Sequence, residues 1–244
     1  MPPIASAITL SLYNLKMLEA TEDLDEAQSW AHSALGVNNA AKYFMGAENF
    51  VAAYKNENSF SFIVQGEPFY GQMYGEGAFQ DERCSDIAVA GFKPELIGNL
   101  LPRGGFQFWE AITSDTGSGI ELLTNPDEIR TMIEKHAPDS SVFPGDDEVI
   151  FWGGIRNASS ELAALAVLVK WQSGFHVMAS VVTREQDRGK GFATQLSRGM
   201  ITRAHSLGIS KIGLGVRENN FAAQRVYEKS GFKKLADFTH YSRE

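Results

Sequence analysis

Hydrophobic positions in the second half of the chain alternate between short β-rich runs and longer stretches with helical spacing. The runs "VIFWGGIRN", "LAALAVLVKW" and "FHVMASVVT" predict three consecutive strands joined by the turn regions "NASSE" and "QSG". The next stretch, "FATQLSRGMITRAHSLG", predicts an amphipathic helix that ends at Gly208, because its apolar residues recur at helical spacing. A strand "KIGLGV", a helix "NFAAQRVYEKSG" and a final strand "FKKLADFTHY" follow.

The first half predicts a similar mixture of elements. A helix with an acidic first turn covers 21–36, two strands surround the turn "QGEP" within 59–77, and "SDIAVAGF" and "KPELIGNLL" predict a third strand and a short helix. The Gly- and Pro-containing "PRGG" at 102–105 is the best linker candidate. We therefore predict an N-terminal α/β domain at 1–104 and a second domain at 105–244.

The second domain opens with a strand at "FQFWEAIT" and a helix at "NPDEIRTMIEKHA", with Pro126 near the helix start. An antiparallel run of strands that feeds a βαβα unit implies an α/β protein with a mixed sheet.

Composition is that of a soluble globular protein. Of the 244 residues 43% are hydrophobic and 11% aromatic, enough for a core, and no stretch is long and apolar enough to span a bilayer. Cys84 is the single cysteine, which excludes an intrachain disulfide framework and a Cys-based metal cluster. The first residues lack the basic region of a secretory signal, so we expect a cytoplasmic protein with no membrane partner.

Charge is distributed unevenly along the chain. Residues 1–150 contain 8 Lys and Arg against 23 Asp and Glu, a net charge of −15, whereas residues 151–244 contain 14 and 7, a net charge of +7. The acidic part favours a cationic partner and the basic part an anionic one. No dense Lys/Arg cluster with interleaved aromatic residues is present, so we expect no nucleic-acid partner.

The segment "REQDRGKGFATQL" at 184–196 places two glycines between a predicted strand and a predicted helix. Glycine permits a sharp turn and close approach of a ligand, and the first N–H groups of a helix have no partner within it. With Arg188 and Lys190 beside them, these groups predict a site for a phosphate or pyrophosphate. The alternative is an ordinary connection in which Gly serves the turn and the basic residues serve solubility.

A second motif lies downstream of this loop, and the two motifs together resemble those of a known family. The segment from about 148 to 234 resembles the GNAT superfamily of acyl-CoA-dependent N-acetyltransferases. The phosphate-loop pattern of that family (Arg or Gln, two residues, Gly, one residue, Gly or Ala) is met at Arg188-Gly189-Lys190-Gly191-Phe192-Ala193. The later pattern of that family is an Asn followed by a helix that carries Tyr-Glu-Lys and then Gly-Phe. It is met at Asn220, Tyr227-Glu228-Lys229 and Gly231-Phe232. The resemblance implies a mostly antiparallel central sheet flanked by helices, and the first hundred residues could be a degenerate copy of it.

The resemblance also implies the cofactor and its contacts. Acetyl-CoA would be the acyl donor, its pyrophosphate held by backbone amides of Arg188, Gly189, Lys190, Gly191, Phe192, Ala193 and Thr194. Main-chain groups of Val181, Val182 and Thr183 would bind the pantetheine arm where their strand splays from "KIGLGV", and Asn220 would help to hold the coenzyme. No metal is implied.

Tyr227 would lie beside the thioester sulfur and protonate the departing thiolate, while backbone N–H groups on the splayed strand stabilise the oxyanion. Packing in the core is the alternative role of this tyrosine.

The base that deprotonates the amine is not evident from the sequence. An alkylammonium group has a pKa of about 10.4 and must lose a proton before attack, yet "GFHVMASVV" contains no carboxylate. His176 is the titratable group there, and strand alternation places it on one face with Met178, Ser180 and Val182. Water with backbone groups, His240 and Tyr241 are the other candidates.

Three functional hypotheses follow. The leading one is an N-acetyltransferase that moves acetyl from acetyl-CoA to a primary amine of a small molecule or peptide. The alternatives are a non-catalytic acyl-CoA-binding sensor, which the missing strand carboxylate favours, and a nucleotide-binding interaction module. A protein N-terminus, a lysine, a polyamine, an aminoglycoside and an amino acid are all open as acceptors, and the acidic first 150 residues favour a cationic one.

Overall fold

The computed structural model describes residues 19–33, 40–57, 59–66, 69–75, 84–90 and 101–242. The chain divides into two compact units, the first formed by residues 1–106 together with 236–244 and the second by residues 107–235. The segment from Ala236 onward thus groups with the first unit, and the two domains assigned at 1–104 and 105–244 stay a prediction.

The first unit contains a sheet of strand order β1-β2-β3-β4-β5-β12. Its pairs are antiparallel except for the parallel pair of β4 and β5. Its elements in chain order are β1 (Glu19–Thr21), α1 (Leu24–Ser33), α2 (Ala41–Phe44), β2 (Phe50–Lys55), β3 (Ser59–Val64), β4 (Phe69–Gly75), β5 (Cys84–Ala90) and the part of β12 (Lys233–Ser242) from Ala236 onward.

Aromatic side chains fill one face of this first sheet. Phe60 of β3 is the register partner of Tyr74 of β4, with ring centroids 6.3 Å apart, and Phe238 of β12 lies 5.8 Å from Tyr74 edge to face. The two strands around "QGEP" and the third strand are confirmed. The helix predicted at "KPELIGNLL" falls almost wholly on residues 91–100, which lie outside the described part of the chain.

The linker prediction at "PRGG" is wrong. Residues 102–105 belong to strand β6 (Leu101–Ile112), the first part of which is exposed to solvent. Proline and glycine are tolerated where a strand is solvated, so their presence did not mark an interruption here.

The second unit contains the order β6-β11-β10-β9-β8-β7, in which β10 and β11 are parallel and the pairs among β7, β8, β9 and β10 are antiparallel. A mixed, mostly antiparallel sheet flanked by helices is therefore confirmed. The elements besides β6 are β7 (Glu121–Leu123), α3 (Pro126–His136), β8 (Val149–Arg156), β9 (Leu162–Lys170), β10 (His176–Thr183), a 3₁₀ turn (Glu185–Asp187), α4 (Phe192–Ser206), β11 (Lys211–Arg217) and α5 (Phe221–Lys229).

Helices cover both faces of this second sheet. Residues 162–169 of β9 are all buried, as a continuous apolar strand requires, and their side chains divide between two cores. Val167 and Val177 pack in the core that contains Ile133 of α3. Leu168 and Met178 pack in the opposite core with α4 and Tyr227 of α5. No helix in the described part of the chain combines the length and hydrophobicity of a transmembrane segment.

Candidate functional site

The strand before the glycine-rich loop separates from its parallel neighbour. Along β10 and β11, both described throughout, the register contains the single pair Val177↔Gly213. Beyond this pair the C-terminal half of β10, which includes Val181 and Thr183, has no partner strand on that side. The result is a cleft between two diverging strands that begins at Val177 and opens towards the loop.

A β-bulge lies in the part of β10 that borders this cleft. Ala179 pairs with Val167 of β9, but the next pair is Val182 with Leu165, so β10 carries one extra residue there. Ser180 has φ +47°, a left-handed conformation that is uncommon outside glycine. A bulge leaves its extra residue outside the ladder, so β10 gains a backbone group that β9 does not satisfy.

The bulge overturns one expectation from strand alternation. We predicted that Val182 would share a face with Met178, but Val182 packs in the α3 core with Val177, whereas Val181 packs against the core that contains Met178. The extra residue shifts the alternation by one position, so the side chains after Ser180 exchange faces.

The glycine-rich loop presents a run of free backbone N–H groups. Gly189 has φ +76° and Gly191, the N-cap of α4, has φ +86°, and a Cβ atom at either would meet nothing within 4 Å. Gln195 donates to Gly191 O as the first intrahelical bond, and no side chain caps the helix. Across the described residues, the N–H groups of 189–194 find no acceptor. The amide prediction for Arg188 is wrong, because its N–H already donates to Glu185 O at 3.2 Å. Such groups at a helix N-terminus form an anion-binding site.

A buried carboxylate fixes the shape of this loop. Asp187, of which 2% is exposed, accepts hydrogen bonds from Arg184 Nε at 2.6 Å and from Lys190 Nζ at 3.1 Å. Burial raises the pKa of Asp187, but hydrogen bonds from Arg184, Lys190 and Asn157 outweigh it, so the pKa is lowered overall. Lys190 is thus already paired with a carboxylate. Arg188 is exposed at the loop surface, where its Nε donates to Thr183 O at 3.4 Å and no carboxylate of the described residues pairs with it.

Several cationic side chains lie near the loop. Burial lowers the pKa of His136, the last residue of α3, and the positive charges of Lys135, Arg188 and Arg184 lower it further, while Glu185 acts in the opposite direction. Cations near the loop add to the free N–H groups in favouring a phosphate.

Asn220 has a structural role in this fold. It is the N-cap of α5, and its Oδ1 accepts a hydrogen bond from the N–H of Ala223 at 3.1 Å. The amide nitrogen of its side chain remains available to a ligand. The coenzyme contact predicted for Asn220 stays a prediction, and its cap role explains an asparagine at this position without a ligand.

Tyr227 is buried but keeps its hydroxyl accessible. The residue is 6% exposed, and its ring packs edge to face on Phe232 at 5.8 Å. In the described part of the chain its hydroxyl has no hydrogen-bond partner. The fully buried side-chain atoms without a partner there are Trp152 Nε1 and Arg203 Nε, and the Tyr227 hydroxyl is not among them, so it keeps contact with solvent. Desolvation raises the pKa of Tyr227 to about 12, so it carries its proton at neutral pH. Tyr227 is thus able to act as a proton donor.

His176 lies at the closed end of the cleft. It precedes Val177, the point at which β10 still pairs with β11, and is about 13 Å along the strand from Ser180. Burial and the nearby Lys170 lower its pKa. His240 and Tyr241 belong to the first unit, where His240 Nε2 is 3.6 Å from Asp86 Oδ1. The described residues hold no group of His, Cys, Asp and Glu that fits a metal ion.

For the amine acetylation that the resemblance implies, we expect His176→Gln to reduce kcat by less than about tenfold, whereas loss of a general base costs about 10²- to 10⁴-fold. Its lowered pKa means that its contribution to stability is present above its ordinary pKa of 6.5 and is lost as the pH falls below it. When the pH is lowered from 8 into the acid range, the free energy of unfolding should therefore fall less for the variant than for the wild type. Steady-state kinetics and denaturant unfolding at both pH values check this, and a hundredfold loss of kcat would identify His176 as the base.

Sequence reasoning missed the segment that follows α3. Ser140 Oγ lies 2.5 Å from Ser180 Oγ, and Asp139 Oδ2 lies 3.3 Å from Arg217 Nη2 at the end of β11. This connection therefore reaches the borders of the cleft. Nothing local in the sequence of this segment indicates these distant partners.

Comparison with known proteins identifies a domain within the chain. Residues 120–232 match the model of the acetyltransferase (GNAT) family. No curated protein matches the sequence. A GCN5-related N-acetyltransferase from Sphaerobacter thermophilus is 12% identical, with a TM-score of 0.54 over 93% of this chain and 96% of its own. A GCN5-related N-acetyltransferase from Kribbella flavida is 12% identical, with a TM-score of 0.55 over 89% and 95%. The shared fold thus extends beyond the matched domain.

A Bacillus subtilis acetyltransferase solved in complex with CoA is also similar. It is 20% identical and aligns with 52% of this chain and 98% of its own, with a TM-score of 0.42.

Proposed function

We propose that the protein is an N-acetyltransferase, because residues 120–232 match the model of the acetyltransferase (GNAT) family, whose members take their acyl group from acyl-CoA. Its donor is acetyl-CoA and its acceptor is a primary amine. The observation that carries the proposal is the run of free N–H groups at 189–194, directly after a strand that is bulged and open on one side.

The loop suits the pyrophosphate of the coenzyme. The free backbone N–H groups from Gly189 to Thr194 lie at the start of α4, and a Cβ added at either left-handed glycine would meet no atom within 4 Å. Arg188, exposed at the loop surface, supplies a positive charge. The pantetheine arm then extends along Val181, Val182 and Thr183, whose main-chain groups pair with amides as a neighbouring strand would.

The chemistry follows from this placement. A neutral amine attacks the thioester carbon, a C–N bond forms, and the carbonyl oxygen becomes an oxyanion that a backbone N–H of the bulge stabilises. Collapse of this intermediate breaks the C–S bond, and the thiolate takes the proton of the Tyr227 hydroxyl. The proton that the attacking nitrogen releases passes to water, which later restores the proton of Tyr227.

The acceptor is an amine, and a cationic small molecule or peptide fits best. The support is the net charge of −15 on residues 1–150, which favours the approach of a cation.

An acyl-CoA sensor without turnover is the second candidate. It is favoured because the candidates for a general base are poor. Strand β10 contains no carboxylate, and His176 lies at the closed end of the cleft. The sensor and the enzyme share the coenzyme site but differ in the consumption of acetyl-CoA.

We expect CoA or acetyl-CoA to stabilise the protein against unfolding. At a ligand concentration a hundredfold above its dissociation constant, the free energy of unfolding should rise by about 2.7 kcal/mol, because the ligand binds the folded state alone. Thermal or denaturant unfolding with and without the coenzyme measures the gain, and ATP at equal concentration is the control.

The same preparation then distinguishes enzyme from sensor. Release of free thiol from acetyl-CoA is followed with a panel of polyamines, aminoglycosides, amino acids and lysine peptides. Amine-dependent release supports the acetyltransferase, and stabilisation without release on any amine supports the sensor. Equal stabilisation by ATP would instead indicate a general nucleotide site.

A further inference from the structure

The connection after α3 is tied to both borders of the cleft through two consecutive residues. Ser140 bonds to Ser180 on β10, and Asp139 forms an ion pair with Arg217, the last residue of β11. We call this pair of residues the Asp139–Ser140 bridge. It joins two strands at the level where they no longer pair with each other.

The two ties differ in strength. Both partners of the ion pair are exposed, Arg217 by 74% and Asp139 by 79%, and such surface pairs contribute little. The tie to β10 is partly buried and continues inward, because the Ser180 hydroxyl donates to Val142 O at 3.2 Å. The Ser140 hydroxyl also donates to Val142 O, at 3.5 Å, and either hydroxyl can be the donor in the 2.5 Å contact between Ser140 and Ser180.

Val142, whose carbonyl accepts these hydrogen bonds, is anchored in a hydrophobic core. Its side chain is 4% exposed and packs in the core that also contains Ile133 of α3. The next residue, Phe143, packs against that core and lies beneath Arg130, with the guanidinium 5.6 Å from the ring centroid. The hydroxyls of Ser140 and Ser180 and the Val142 carbonyl therefore connect the bulge to the core beside α3.

The bulge needs such support. Ser180 holds φ +47°, a conformation that is costly for a residue with a side chain and that persists only where its surroundings enforce it. Its side chain makes the two contacts just described and both go to the connection after α3. Without them, β10 would relax towards regular pairing with β9, and the backbone group freed by the extra residue would turn away from the cleft.

We propose that Ser140 is a positioning residue, which acts through Ser180 to hold the bulge of β10 so that a free backbone N–H of 180–181 bonds to the thioester carbonyl. The proposal rests on the proposed function, since the carbonyl is that of bound acetyl-CoA. Ser140 itself touches neither the coenzyme nor the amine. Its hydroxyl determines where the donor points, and the donor stabilises the oxyanion as it forms.

The test uses the carbonyl stretch of bound acetyl-CoA, which needs no acceptor amine. Acetyl-CoA labelled with ¹³C at the thioester carbonyl is bound to the full chain, and isotope-edited infrared difference spectra are recorded. A hydrogen bond to the carbonyl lowers its stretching frequency, so the wild type should show a downshifted band. Ser140→Ala should lose most of that downshift, while its dissociation constant for CoA stays within about twofold of the wild-type value.

Three variants serve as controls. Ser140→Thr keeps the hydroxyl and should keep the downshift. Ser141→Ala removes a hydroxyl from the exposed neighbouring position and should change nothing. Ser160→Ala alters the second non-glycine residue with positive φ in the described part of the chain, φ +63°, at the turn between β8 and β9, and should leave the band unchanged.

The outcomes separate this proposal from the proposed function. A wild type that does not bind acetyl-CoA contradicts the proposed function. A wild type that binds acetyl-CoA without a downshift, or a Ser140→Ala variant that keeps it, overturns the positioning role alone. Where an amine is turned over, loss of the tie should lower kcat by up to about 10²-fold with an unchanged KM for acetyl-CoA, as for a misplaced catalytic group.

Discussion

Tyr227→Phe should lower the turnover of any accepted amine by about 10²- to 10⁴-fold, because it removes the general acid of the proposed reaction. This loss corresponds to about 2.7 to 5.4 kcal/mol of activation free energy. The dissociation constant for acetyl-CoA should stay nearly unchanged, since the phenyl ring still packs on Phe232. The hydroxyl has no partner in the described part of the chain, so its removal leaves no other group unpaired.

The pH profile provides an independent check on Tyr227. Desolvation raises its pKa to about 12, so the proton donor is present throughout the range below about pH 10. The folded-state pKa is higher than the unfolded one, so the stability linked to this group is complete below about pH 10 and is lost as the pH rises towards 12. Tyr227→Phe should abolish that alkaline loss.

A matched control is Tyr74→Phe in the first unit, where the hydroxyl donates to Gln72 Oε1 at 2.7 Å. It should reduce stability by about 1 kcal/mol and leave turnover unchanged. Kinetics and coenzyme titration on both variants measure the contrast. If Tyr227→Phe retained most of its turnover, the proton would have to reach the thiolate from another donor.

Elements with regular periodicity were predictable because their signal is local. The apolar spacing of 192–208 corresponds to α4, and the apolar run at 162–171 corresponds to β9, which is buried on both faces. The sharp turn at the loop was also predictable from its glycines. A left-handed backbone that leaves space for a ligand favours glycine at 189 and 191.

Features that depend on distant partners were not predictable. The bulge at Ser180 occurs in a run without glycine or proline, and its support comes from Ser140, 40 residues earlier. The Asp139–Arg217 pair joins residues 78 positions apart. Neither contact leaves a local signature, so alternation along β10 predicted the wrong face for Val182.

Local signals also misled at "PRGG". Glycine and proline there favoured a linker, but the strand continues through them because that end of β6 is solvated and needs no complete ladder. Glycine and proline thus mark positions where the backbone is able to turn, and the tertiary structure decides whether it does.

Gly191→Glu should abolish coenzyme binding, with a loss of affinity of at least about a hundredfold, or 2.7 kcal/mol. Gly191 has φ +86° and no atom within 4 Å of an added Cβ, so the side chain fits without a clash. Its carboxylate would then lie among the free N–H groups of 189–194 and take the place of the pyrophosphate. The stabilisation of the protein by CoA should disappear.

The strain of the substitution must be separated from its charge. Gly174→Glu is the matched control, because Gly174 has φ +82°, equally open surroundings and a place in the turn between β9 and β10. Both variants should lose about 1–2 kcal/mol of stability from the left-handed backbone, but Gly174→Glu should keep the full gain from CoA. Gly191→Lys carries the same strain with the opposite charge and should retain more affinity than Gly191→Glu. Should Gly191→Glu still show the wild-type gain, the coenzyme would have to bind somewhere other than this loop.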